Sequence, residues 1–87
     1  MTELNFNFKL DEVLSELDIT RNNLAVEAKI RPATVQDLYN GKTKRLELAT
    51  IEALLKVIND VAIKKGINKT YKIDDIIEFI YEKEGDQ

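Results

Sequence analysis

The chain contains no cysteine and no histidine, and it has only one proline and three glycines among its 87 residues. Without cysteine there is no disulfide framework, and without either residue type no Cys/His metal site is available. The absence of histidine also removes the commonest general base of enzymes. No uninterrupted apolar run exceeds three residues, so neither a membrane span nor a signal-peptide core is expected. We therefore expect a cytoplasmic protein.

The sequence also lacks the motifs of an enzyme. It has no glycine-rich phosphate loop, no histidine-activated nucleophile and no metal-ligand spacing. The carboxylate pairs Asp11/Glu12 and Asp74/Asp75 lie at predicted helix starts, where the helix dipole accounts for them. A length of 87 residues suits one small domain, 1–87, with a single modest core. We expect no catalysis, no cofactor, no metal and no small-molecule ligand.

Charge is distributed unevenly along the chain. The formal net charge is −3, which by itself disfavours a nucleic-acid binder because phosphate contacts supply most non-specific affinity. Residues 20–45, however, carry six basic and two acidic residues, whereas 1–19 carry one basic and five acidic. Residues 46–87 carry six basic and nine acidic ones. The chain thus has one basic island, residues 20–45, between two acidic flanks, and this island is where a polyanion would bind.

Near the N-terminus the spacing of apolar residues changes from every second residue to the spacing of a helix face. Apolar and polar residues alternate from Leu4 to Leu10, which predicts a short half-buried strand over 3–7. Leu10, Val13, Leu14 and Leu17 then follow the spacing of a helix face. The sequence predicts helix 1 over 8–18, with Asn7 as its N-cap.

Two short helices are predicted next. Thr20 is a suitable N-cap for helix 2, which ends by Ala28 or Lys29 because Pro32 fits only the first turn of a new helix. Helix 3 then runs from Pro32 to about Asn40, and Gly41 can end it with a positive φ. The inward residues are expected to be Leu24, Ala25, Ala28, Val35, Leu38 and Tyr39.

A long helix and an ambiguous end follow. A stripe of apolar residues, from Leu48 to Ala62, predicts helix 4 over 48–64, stopped by Gly66, and 67–72 reads as a loop. Residues 74–87 contain isoleucines at helical spacing, yet Glu78 to Glu82 has the aromatic and β-branched content of a strand. We expect residues 84–87 to be frayed.

Four segments together resemble the successive signatures of Cro and lambda-repressor type helix-turn-helix proteins. The match covers about residues 8–60, and the segments are Thr20-Arg-Asn-Asn-Leu-Ala25, Ile30-Arg-Pro-Ala-Thr-Val35, Leu38-Tyr-Asn-Gly41 and Leu48-Ala-Thr-Ile51. The resemblance implies a mainly α, five-helix, lambda-repressor-like domain with a helix-turn-helix core at 20–41. Asp75-Ile-Ile-Glu-Phe79 is similar to the ending of a small subgroup, in which the two terminal segments pair. That likeness favours a two-stranded antiparallel sheet from 3–7 and 78–82.

Three cations depart from the family pattern. Lys29 stands where the family usually has glycine, so a left-handed residue is expected at a cost of about 1 kcal/mol. Arg31 replaces a Ser or Thr N-cap, losing a bond of typically about 1 kcal/mol, and Arg21 replaces a glutamine. Arg21 and Arg31 also put positive charge at helix N-termini, where the dipole disfavours it. Nearby DNA phosphates account for this pattern, and neutral surface drift is the alternative.

The resemblance implies a DNA reader whose third helix enters the major groove. With Val35 and Leu38 inward, the residues expected to read bases are Arg31, Ala33, Thr34, Gln36, Asp37 and Asn40. Asp37 has the equally good alternative of a solvated surface residue. Those expected to contact phosphates are Arg21, Lys29, Tyr39, Lys42, Lys44 and Arg45. Tyr39 is equally well explained as a core aromatic. For the lysines the alternative is an ordinary solvated loop, and their clustering beside the recognition helix favours phosphate contact.

The predicted function is a sequence-specific regulator of transcription, with repression as the simplest mechanism. One recognition helix contacts few base pairs, so a homodimer on a two-fold symmetric operator is expected. The expected dimer interface is Ile76, Phe79, Ile80 and Tyr81, although these residues could equally complete the core. The alternative is an antitoxin or protein-interaction module that binds a partner protein through this segment. Such a module would tolerate charge reversal at Lys44 and Arg45, whereas a DNA binder would not.

Overall fold

The computed structural model describes residues 5–81. In chain order its elements are a strand, four α-helices, a one-turn 3-10 helix and a second strand. The bounds are β1 Phe6–Phe8, α1 Leu10–Leu17, α2 Arg21–Ala28, α3 Pro32–Tyr39, α4 Leu48–Lys64, the 3-10 helix Ile73–Asp75 and β2 Ile77–Phe79. The mainly α fold with a small two-stranded sheet is therefore confirmed.

The two strands pair antiparallel, in the register Phe6 to Phe79 and Phe8 to Ile77. Within the described residues each strand is three residues long, shorter than predicted. Residues 3, 4 and 82 of the predicted strands lie outside the described part of the chain, as do residues 84–87, which were predicted to be frayed. Phe8 also packs beside Gly41, where a Cβ atom would lie 3.3 Å from the Phe8 ring. The φ of Gly41 is +74°, so this position needs glycine for its backbone and leaves little room for a side chain.

The start of α1 differs from the prediction. The helix begins at Leu10 with Lys9 at its N-cap, and no side chain caps it. Asn7 is not the N-cap because it lies within β1, opposite Glu78. Lys9 continues this pairing, since its N–H donates to the carbonyl oxygen of Ile76 at 2.7 Å. Pairing with a distant strand therefore moves the helix start two residues beyond the predicted one.

The fifth helix of the predicted fold is replaced by a shorter element. Within residues 5–81 the chain after α4 forms only the 3-10 turn Ile73–Asp75 and then β2. Strand pairing satisfies the backbone groups that a helix would otherwise pair internally. The strand interpretation of this ambiguous segment is thus correct, with bounds of Ile77–Phe79 rather than 78–82.

The core combines one face from each helix with two residues from the C-terminal part. Each residue of this buried set is at most 4% exposed. Its members are Leu10, Val13, Leu14, Leu17, Leu24, Ala25, Val35, Leu38, Ile51, Leu54, Ile58, Ala62, Tyr71 and Ile76. Leu48, the first residue of the apolar stripe that predicts helix 4, is 80% exposed, because the stripe extends one turn beyond the core.

The loop 67–72 is held to the helices by specific bonds. The Asn59 side-chain amide donates to the Tyr71 carbonyl oxygen at 3.1 Å, and its oxygen accepts from the Tyr71 N–H at 2.7 Å. The Tyr71 hydroxyl donates to Glu16 at 2.7 Å. Burial, together with this bond, raises the pKa of Tyr71 to about 12. These contacts bring the C-terminal strand back beside α1.

The turn between α2 and α3 consists of Lys29, Ile30 and Arg31. Lys29 is left-handed, at φ 58° and ψ 45°, as predicted. Its N–H and that of Ile30 bond back to carbonyl oxygens at the end of α2. Pro32 then occupies the first position of α3, and the N-cap residue Arg31 makes no side-chain capping bond. The predicted loss of the usual cap is confirmed.

The Lys29→Gly variant tests the strain in this turn. Glycine adopts a left-handed backbone without the penalty of a Cβ atom, so the free energy of unfolding should rise by about 0.5 to 1 kcal/mol. Urea denaturation measures this change. Lys29→Ala is the matched control, because it removes the charge and keeps the Cβ atom, and it should give little change. Equal stability of the glycine and alanine variants would contradict the assignment of strain to this residue.

Candidate nucleic-acid interface

The basic connector, residues 42–45, lies between α3 and α4. The positions of α2 and α3, which precede it, are determined by local signals. The Thr20 hydroxyl oxygen accepts from the Asn23 N–H at 3.0 Å and so caps α2. Leu24 and Ala25 of α2 and Val35 and Leu38 of α3 are buried in the same core cluster. This burial fixes the rotation of α3 about its axis, and therefore which of its side chains face solvent.

The outward side of α3 carries the predicted base-reading set. All six of these residues are exposed in the structure, as the helical period requires. They are Arg31, Ala33, Thr34, Gln36, Asp37 and Asn40. The set offers hydrogen-bond donors and acceptors of the kinds that recognise base edges, together with the small apolar side chain of Ala33.

The turn and the connector meet at one cleft beside α3. This cleft has a volume of about 510 Å³ and is lined by Lys29, Arg31 and Thr34, by Arg45 of the connector and by Glu47 at the start of α4. Three cations, two from the turn and one from the connector, thus surround one concave surface, with a single carboxylate among them.

The remaining connector cations extend this basic surface. Lys42 and Lys44 are exposed between α3 and α4. Among the residues that the structure describes, salt bridges join Lys9 to Glu78 and Lys69 to Glu16 and Asp75, and the six basic residues of 20–45 form none. Their charges are therefore not neutralised by an ion pair within the described part of the chain.

Arg21 lies at the other end of the outward surface and contacts α3 directly. Its guanidinium group donates to the Gln36 side-chain oxygen at 3.2 Å and stacks over the Tyr39 ring at 4.4 Å. Tyr39 is half-buried, which agrees with a core aromatic whose outer face is open. The structure thus joins two residues predicted to contact phosphates to one predicted to read a base. Sequence reasoning missed this contact, because Arg21 and Gln36 are 15 residues apart on different helices.

The C-terminal apolar residues divide into two groups. Ile76 is 0% exposed, so its side chain completes the core, and we no longer assign it to the dimer contact. Phe79 and Tyr81 are 60% and 76% exposed, and Ile80 is 37% exposed. Phe6, which was not assigned to the interface, joins them through an edge-to-face contact with Phe79 at 5.5 Å between ring centroids. The alternation around Phe6 was the signal that could have placed it there.

The described residues contain neither a membrane-spanning helix nor a cluster of metal ligands. No helix in that part of the chain is long and apolar enough to cross a membrane. Within the same residues no group of three or more Asp or Glu side chains is placed to hold a metal ion.

Two helices joined by a three-residue turn, with the second exposing polar side chains beside a basic cleft, define a helix-turn-helix protein. A family model for the Cro/C1-type HTH DNA-binding domain matches residues 9–60. The chain therefore belongs to the Cro/C1-type helix-turn-helix family, and this domain is a DNA-binding one. No curated protein and no solved structure matches the chain.

Proposed function

We propose that this protein is a sequence-specific regulator of transcription that binds double-stranded DNA and represses by occupying a promoter site. The observation that carries the proposal is the outward surface of α3, where six exposed candidate base readers adjoin the basic cleft. The DNA-binding domain that defines the family supports the same function. We also propose that the protein acts in the cytoplasm.

The proposed mechanism places the N-terminal part of α3 in the major groove. There Gln36 can pair with both N6 and N7 of adenine, and Ala33 or Thr34 can contact a thymine methyl group. Arg31 precedes the helix and can reach guanine O6 and N7 or a phosphate. Asp37 and Asn40 lie farther along the same surface, and Asp37 could accept from cytosine N4. This combination reads a short half-site.

The basic residues supply the sequence-independent part of binding. Lysine and arginine side chains that neutralise phosphates release counterions, so this contribution falls as salt rises. We assign four cations to the DNA backbone on one side of α3. Lys29 and Arg45 line the cleft, and Lys42 and Lys44 are exposed on the connector. The acidic flanks of the chain would be repelled by phosphate and so favour an orientation in which residues 20–45 face the DNA.

A homodimer completes the proposed site. One α3 spans only a few base pairs, and a two-fold dimer doubles the contacts on half-sites about one helical turn apart. The surface we assign to the dimer contact is the exposed apolar end of the sheet, Phe6, Phe79, Ile80 and Tyr81. A dimer built there would cover aromatic side chains that water contacts in the isolated chain.

The same surface also favours a second candidate function, a protein-interaction module or antitoxin. A groove of about 640 Å³ along α4, lined in part by Leu48, Leu55 and Ile73, adds to the apolar surface available to a partner protein. Leu48 is 80% exposed at the end of this groove. The two functions differ in whether the basic residues matter for binding.

Substitution of Gln36 and Lys44 separates base reading from phosphate contact. Gln36→Ala should weaken binding to the cognate site by about 1 to 3 kcal/mol, because one base pair is no longer read. Lys44→Ala should weaken binding to all sequences alike and lower the salt slope by about 1. Fluorescence anisotropy on cognate and random duplexes, at several salt concentrations, measures both effects.

The matched controls are Asn68→Ala and Lys56→Ala, which alter exposed residues outside the proposed DNA-binding surface of residues 20–45. Neither should change DNA affinity. Equal losses for cognate and random DNA in Gln36→Ala would remove Gln36 from the base readers. An unchanged salt slope in Lys44→Ala would remove Lys44 from the phosphate contacts. DNA binding that tolerates charge reversal at both Lys44 and Arg45 would favour the protein-interaction function.

Replacement of Phe79 by a charged residue tests the proposed dimer interface. Phe79→Asp should give a folded monomer with weak operator binding, because the substituted side chain is largely exposed and leaves the core intact. Analytical ultracentrifugation measures the oligomeric state, and circular dichroism checks the fold. Ile63→Asp is the control, since Ile63 is 75% exposed on α4 and lies outside the sheet. A Phe79→Asp protein that remains dimeric would exclude Phe79 from the interface.

A further inference from the structure

Arg21 is the one basic residue of the predicted phosphate group whose side chain donates a hydrogen bond to a predicted base reader among residues 5–81. Its guanidinium donates to Gln36 Oε1 at 3.2 Å and lies 4.4 Å from the Tyr39 ring centroid. The three residues come from α2 and α3, and the turn at Lys29–Arg31 brings them together. A small cleft of about 270 Å³, lined by Arg21, Gln36 and Pro32 among others, opens beside them.

The chemistry of the pair allows only one orientation of the Gln36 amide. A guanidinium group is a donor with no acceptor, so it must face the amide oxygen. Rotation of the amide by half a turn would place its NH₂ group against the guanidinium, donor against donor. The Tyr39 ring supports the guanidinium from one face by a cation–π contact. While this contact is made, the side-chain oxygen of Gln36 faces Arg21 and its NH₂ group faces away from the guanidinium.

Stability of the free protein does not account for this arrangement. Arg21 is the first residue of α2, where the positive end of the helix dipole disfavours a cation. The hydrogen bond and both side chains of the pair are exposed, and such contacts contribute little to folding. The arrangement does matter for a residue that must present an acceptor and a donor to two atoms of one base.

We propose that Arg21 is a specificity-determining residue that positions the Gln36 amide for base reading. This inference rests on the proposed function, because it assigns a second residue to the same site. A fixed amide meets the adenine N6 and N7 pair in one orientation only, whereas a free amide can turn to suit other base edges. The Gln36 oxygen retains a second lone pair for the base, and Arg21 retains further N–H groups that can reach a phosphate.

The test compares Arg21→Met with Lys44→Met. Methionine keeps a long side chain and good helix propensity but has neither the charge nor the donors of arginine. Binding is measured on four duplexes that differ only at the base pair whose preference Gln36→Ala alters. Arg21→Met should reduce the preference for the cognate base by about three- to tenfold, near the net value of one ordinary hydrogen bond. Lys44→Met should weaken binding to the four duplexes equally.

The double variant Arg21→Met/Gln36→Ala isolates the coupling. When Gln36 is absent, Arg21→Met should no longer change the base preference, because its effect passes through that amide. In the free wild-type protein, NMR relaxation should show an ordered Gln36 side-chain amide that becomes mobile in Arg21→Met. This measurement tests the positioning without DNA.

The outcomes separate this inference from the proposed function. If Arg21→Met weakens all four duplexes equally and only lowers the salt slope, Arg21 is a phosphate contact alone and the positioning role is overturned. The proposed function then stands. If neither Gln36→Ala nor Arg21→Met changes any base preference, the base-reading role of Gln36 fails, and the positioning role fails with it. An amide that is equally mobile in both proteins also contradicts the inference.

Discussion

Burial of Val35 and Leu38 is the constraint on which the site depends. Both side chains are almost completely removed from water, in the same cluster as Leu24 and Ala25 of α2. Because an α-helix places residues three and four apart on one side, burying these two fixes the opposite side of α3 in solvent. The exposed residues between them, Gln36 and Asp37, can then meet DNA without any rearrangement of the core.

The turn and the strands secure this helix at its two ends. At the N-terminal end, left-handed Lys29 and Pro32 end one helix and begin the next within three residues. At the C-terminal end, Gly41 lies against Phe8 of β1, so the terminal sheet supports the point where α3 joins the basic connector. A small domain with a modest core thus holds its recognition surface through local turns as well as apolar burial.

The local distribution of charge explains how a protein with net charge −3 can bind a polyanion. Screening limits interactions between exposed charges to roughly 8 to 10 Å at ordinary salt. A phosphate at the cleft therefore senses Lys29, Arg31 and Arg45 more strongly than the acidic residues of distant elements. The cations that replace Gln, Gly and Ser of the family pattern are expected to cost local stability. In the proposed function their charges contribute to binding phosphate.

Much of the fold follows from local signals, and the errors arise from contacts between distant residues. Thr20, Pro32, Gly41 and Gly66 mark element ends, and α2, α3 and α4 have the predicted bounds to within one residue. Asn7 was misplaced because its pairing partner, Glu78, lies at the other end of the chain.

The site was predictable to a similar degree. Helical period alone placed the outward residues of α3, because Val35 and Leu38 had to be buried. The spacing of apolar residues could not show that Ile76 is buried in the core, since its burial depends on how the chain before β2 returns to the helices. Nor could it show the contact of Arg21 with Gln36, which requires the angle between α2 and α3.

The most direct test of the central claim is a binding selection from random duplex DNA, performed with the whole chain at two salt concentrations. We expect a short motif with two-fold symmetry at both concentrations, and a lower overall affinity at the higher salt. The symmetry would report the dimer, and the salt dependence would report the basic surface. Recovery of no enriched motif at either concentration would contradict the claim that residues 20–45 form a sequence-reading DNA surface.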